Sequence, residues 1–100
     1  MTRLSKPQIQ QHIRRAALDS INVTITQHAS VRMREREITN AMLFDVLRRG
    51  ILSREPELDL RHSGLTCLME RYVAGVNIAV LVNVDFPSIG LIVITVFGLS

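Results

Sequence analysis

The run LTCLMERYVAGVNIAVLVNVD, Leu65 to Asp85, decides the fold class. Gly75 interrupts two apolar segments and marks a tight hairpin, with strands expected over 65–74 and 76–85. In the second segment Ile78, Val80, Val82 and Val84 alternate with Asn77, Ala79, Leu81, Asn83 and Asp85, a period of two that gives one face to a core. Downstream, Phe86 to Gly90 reads as a turn, and Leu91 to Phe97 as a last strand with Ile92, Ile94 and Val96 on one face and Val93, Thr95 and Phe97 on the other. Upstream, Ile51-Leu52-Ser53 reads as a brief strand, and Glu55 through Gly64 as a loop.

Before Gly50 the apolar period is that of a helix. Ser5 and Gln8 form a capping box for a helix over Lys6 to Asp19, with Ile9, Ile13, Ala16 and Ala17 inward. Val23 to Thr26 is β-branched and short, an extended linker or small edge strand. Thr26 caps a second helix running to about Glu37, and Asn40 to Arg49 forms a third, with Gly50 as its C′ residue. The pattern predicts an α+β domain, N-terminal helices packed on a three- to four-stranded antiparallel sheet. Residues 1–100 read as a single domain, with 1–22 a helical extension and 23–97 the core.

Composition narrows the function. Twelve Lys+Arg against nine Asp+Glu give a formal charge of +3, and Arg14, Arg15, Arg32, Arg34, Arg36, Arg48 and Arg49 crowd the first half. That balance suits a polyanionic partner. With no Trp and one Tyr, stacking platforms for bases are scarce. The single cysteine, Cys67, forms no internal disulfide and reads as a small buried hydrophobe; with no leader or membrane span visible, the expected location is the cytoplasm. No Cys/His spacing or carboxylate cluster points to a metal, so no cofactor is expected. A mean hydropathy of +0.21 in so short a chain suggests apolar surface for a partner or a homodimer.

The run from His28 to Arg36 is the candidate site. Steps of four residues keep to one helix face, so His28, Arg32 and Arg36 form a stripe, an imidazole beside two guanidiniums. Arginine grips phosphate oxygens bidentately and histidine moves protons near neutral pH. The plainer reading is a solvated helix face interleaved with Glu35 and Glu37, or a docking surface for an acidic partner. His12 and His62 read as surface residues, Asp85 as a turn residue, and Glu70 as a cross-strand partner of a basic residue or an acid/base group.

The run TQHASVRMREREI, Thr26 to Ile38, with LRRGI from Leu47 and VITVF from Val93, resembles the domain of unknown function family 4258. That family is similar to the RelE/ParE-type toxin ribonucleases. The resemblance implies a site of His28, Arg32 and Thr95 as catalytic residues, with Arg36 binding substrate. It further implies a toxin–antitoxin pair, metal-independent RNA cleavage through 2′-hydroxyl attack, and RNA, ribosome-bound or free, and an antitoxin as partners. Glu37 stands where the family commonly has Gly, and suggests a more regular turn. The alternative is a non-catalytic RNA- or protein-binding module on the same fold, and a third reading is a purely structural or dimerisation module.

Overall fold

A computed structural model describes residues 4–61 and 63–99. His62, read from sequence as a surface residue, lies outside the described residues. Helix α1 spans Lys6–Ala16, with both hydrogen bonds of the Ser5/Gln8 capping box present. It stops three residues short of the expected Asp19 because side chains take over its last carbonyls: Asn22 Nδ2 donates to Ala16 O (3.1 Å) and Arg48 Nε to Ala17 O (2.7 Å). Asp19 then caps a short 3-10 turn, Ser20–Asn22. Strand β1, Val23–Ile25, and helix α2, Gln27–Glu35, follow.

The end of α2 corrects one expectation. Glu37 has φ +57°, the left-handed conformation. Ile38 N–H donates to Met33 O (2.8 Å) and Glu37 N–H to Arg34 O (3.3 Å), the two bonds of a Schellman motif with Glu37 at C′. The turn is thus the one a glycine would make, because buried Ile38 and Met33 anchor the exit whatever residue stands between them. Helix α3, Asn40–Arg49, ends on Gly50, whose φ is −70°. Glycine is needed there for space rather than torsion: a Cβ would lie 2.3 Å from Val46 O and 2.9 Å from Glu70 O.

The sheet has six strands and mixed direction, against the three or four antiparallel strands expected. Strands β2 (Ile51–Leu52) and β3 (Glu57–Leu58) both pair with β4 (Leu65–Val73), which forms a hairpin with β5 (Val76–Val84). Ala74 and Gly75, at φ +52° and +83°, make the two-residue turn whose twist suits such a hairpin. Strand β6 (Leu91–Leu99) runs antiparallel to β5 and parallel to β1, giving the order β1-β6-β5-β4-β2. The parallel pair arises because α2 and α3 lie between β1 and the sheet, a crossover that permits either direction.

All three helices cover one sheet face and share one core. Ile9 and Ile13 of α1, Ala29 and Met33 of α2, and Leu43, Val46 and Leu47 of α3 meet Met69, Ile78, Val80, Val82, Val93 and Val96. The buried face expected for β5 is observed, but that of β6 is not. Its register shifts between Leu81 and Val82, so that Val82 pairs with Val93 while Leu81 pairs with Thr95, leaving Ile94 as an extra residue. The bulge turns Leu91, Val93 and Val96 inward and places Ile92, Thr95 and Phe97 on the outer face.

Two arginines bind the helices reciprocally. Arg14 of α1 donates to Gly50 O (Nη2, 2.7 Å) and Arg49 O at the end of α3, while Arg48 of α3 donates to Ala17 O at the end of α1. Each guanidinium satisfies carbonyls at the negative end of a helix dipole. No helix among the described residues is long and apolar enough to cross a membrane.

Candidate functional site

Thr26 sets the position of α2. Its Oγ1 accepts from Ala29 N–H (3.1 Å), capping the helix, and donates toward Val93 O (2.9 Å) and Ile94 O (3.2 Å). The helix N-terminus is therefore tied to β6 at the bulge. Ala29 and Met33 bury against the core, which leaves His28, Arg32 and Arg36 exposed beside them. Successive members rise about 6 Å along the axis, close to the spacing of neighbouring phosphates in an extended strand. At the far end, the Arg36 Cδ lies 3.9 Å from where a Cβ on Gly98 would be, so the stripe finishes over the end of β6.

Arg32 is held by Glu35 at 3.5 Å, with both side chains about half exposed (44% and 57%). An exposed pair of this kind contributes about 0–1 kcal/mol and yields readily to a phosphate. His28 and Arg36 make no hydrogen bond or ion pair with each other or with Arg32. The stripe is an open row of donors without a fixed internal network.

Thr95 stands apart. It is half-buried on β6 and pairs across to Leu81 on the sheet face turned away from the helices. No hydrogen bond joins it to His28, Arg32 or Arg36. Glu70 lies on the same outer face, on β4, with Ile51 and Ala79 as cross-strand neighbours. It has no basic cross-strand partner, contrary to the reading from sequence. The structure thus brings together three of the four residues singled out and separates the fourth by the β6 backbone.

The arginine-rich first half is not one surface. Arg14 and Arg48 are spent on carbonyls, and Arg48 also lies 4.8 Å over the Phe44 ring. Asp45 engages Arg71 (2.7 Å) and Arg49 (3.7 Å). What remains for a polyanion is concentrated on α2. His12 is partly buried at the surface, with Nε2 3.0 Å from Ser88 O and its ring edge-on to Phe86. Asp85 is a turn residue, accepting from Ser63 Oγ (2.6 Å). Cys67 is 1% exposed, and burial pushes its thiol up from 9.0 to about 12, which removes it as a nucleophile. No group of three or more His, Cys, Asp or Glu among the described residues is placed to hold a metal ion.

Sequence reading missed a groove on the outer sheet face, about 410 Å³, lined by Glu57, Leu68, Glu70, Ala79, Leu81 and Phe97 among others. Its signal lay in Leu68, Glu70, Ala79 and Leu81, the hairpin positions opposite the core, with Glu55 and Glu57 of the preceding segment.

The molecule is thus an α+β domain with an arginine-striped helix tied to the last strand of a mixed sheet. The chain belongs to the family described as Domain of unknown function (DUF4258), whose model matches residues 25–98. Helix α1 lies outside that match although it contributes Ile9, Ile13 and Ala16 to the core. No curated protein and no solved structure matches the chain.

Proposed function

We propose that this protein is the toxin of a bacterial toxin–antitoxin pair, a metal-independent endoribonuclease that binds and cleaves RNA along α2, as its resemblance to RelE/ParE-type toxins implies. The observation that carries this reading is the exposed row of His28, Arg32 and Arg36 on a helix fastened to β6. In the proposed step the ribose 2′-oxygen attacks the adjacent phosphorus, forming the O2′–P bond and breaking the P–O5′ bond. His28 accepts the 2′ proton, Arg32 and Arg36 stabilise the charge gathering on the phosphorane oxygens, and water protonates the 5′ oxygen. The products are a 2′,3′-cyclic phosphate and a 5′-hydroxyl. Thr95, on the outer face and without a hydrogen bond to the stripe, has no part in this step.

A second reading has one observation in its favour. Thr95 shares no hydrogen bond with the stripe, which leaves His28 to act without it; a module that binds RNA or an acidic protein through arginine needs no such contact.

Inducible expression separates the two. Wild-type chain is expected to arrest growth and degrade RNA, and His28→Ala and Arg32→Ala to relieve both. Equal growth and intact RNA in every strain, with the protein present in soluble form and no antitoxin, contradict the toxin reading. RNA binding lost in Arg32→Ala but retained in His28→Ala, without cleavage by the wild type, assigns the binding module.

A further inference from the structure

The outer-face groove offers a site distinct from the α2 stripe. Its floor is built from rows of cross-strand partners: Glu70, Ala79 and Phe97 form one, and Leu68, Leu81 and Thr95 the next. Neighbouring strands lie about 4.8 Å apart, so Glu70 and Phe97 flank Ala79 with their backbones roughly 10 Å from one another, and both side chains line the groove. Ala79 is 1% exposed, covered by its neighbours, whereas Phe97 is 40% exposed and offers ring surface to a group entering the groove. Glu55, Glu57 and Arg54 complete the rim. None of the three glutamates takes part in an ion pair among the described residues.

We propose that this groove docks an arginine side chain presented by a partner protein, its guanidinium set between Glu70 and Phe97. Charge complementarity selects the occupant: three carboxylates against one guanidinium attract a cation and repel RNA. A planar guanidinium bonds a carboxylate bidentately while stacking on a ring, and its alkyl stem suits Leu68 and Leu81. The apolar surface continues past the groove to Ile51, 58% exposed beside Glu70, and Ile92, 39% exposed, which gives the residues flanking the arginine somewhere to pack. That continuation favours a protein segment over a free small cation. The proposal stands whether or not α2 cleaves RNA.

The test is titration of the full chain, followed by amide NMR, with the peptide acetyl-Leu-Arg-Leu-amide, its Glu counterpart, and agmatine. Shifts are expected at Glu70, Ala79, Leu81 and Phe97 with the Arg peptide only, and Glu70→Gln is expected to weaken binding about tenfold. Phe97→Leu provides a second variant should the first fail to fold, with the same expected loss. Absence of groove shifts, equal binding of the Glu peptide, or unchanged affinity in the folded variant overturns the proposal. Agmatine binding as tightly as the Arg peptide also overturns it, reassigning the slot to a small cation.

Discussion

Glu37 shows how far a single torsion can depart from what its side chain prefers. A left-handed residue with a Cβ costs roughly 1–2 kcal/mol relative to glycine, and part of that is offset because glycine loosens the unfolded chain. Glu37→Gly is therefore expected to stabilise the protein by about 1 kcal/mol, read as a higher urea midpoint at unchanged slope. Cys67 gives a second residue-scale expectation. Its thiol is held protonated up to about pH 12 when folded but ionises near 9.0 when exposed, so above pH 9 the native state holds more protons than the unfolded one. Stability should fall with rising pH by about 1.4 kcal/mol per unit from this group, over that window and not below it. Cys67→Ala should flatten the alkaline limb of the unfolding free energy, a difference measured between the two proteins from pH 8 to 11. At this scale the sequence showed the cap at Thr26, because a hydroxyl before a helix has a local partner. It did not show which way Thr95 points, because the extra residue at Ile94 is visible only in the pairing with β5.

The elements are held by contacts that alternation and capping rules do not encode. The α3-to-β2 junction passes through Gly50, where a Cβ would meet two carbonyl oxygens of fixed backbone. Gly50→Ala is expected to cost about 3 kcal/mol, by analogy with overpacked cores, and to separate the end of α3 from β4. The reciprocal arginine caps make a sharper comparison. Arg14→Ala should cost about 2 kcal/mol through lost charged hydrogen bonds, whereas Arg15→Ala, one residue along and exposed, should change stability by under about 0.5 kcal/mol. Thermal unfolding of the pair checks this directly. The long hairpin and the positions of all three helices were legible from period and caps, although α1 and α2 end earlier than their patterns run. Strand β3, two residues inside a charged loop, was not: its only cause is the edge of β4, a partner that local sequence does not name.

For the whole molecule, the division of charge matters more than its total. One sheet face is buried under helices, the opposite face carries a groove rich in glutamate, and the stripe on α2 lies alongside β6. RNA held by Arg32 and Arg36 together with a third basic group would release counterions with a log–log salt slope of about −2, and Arg32→Ala should reduce it by about 0.7. The His28/Arg32/Arg36 stripe was readable because it lies on one helix and its C-cap, and the acidic groove was not, because the segment 54–57 and strand β6, distant in sequence, meet the β4–β5 hairpin to assemble it. Cleavage by the α2 stripe is tested most directly by incubating the purified chain with single-stranded RNA in excess EDTA and analysing product ends. The expected result is fragments ending in 2′,3′-cyclic phosphate, absent with 2′-deoxy substrate and with His28→Ala; intact RNA with the wild type, free or on ribosomes, or equal cleavage by His28→Ala, contradicts it.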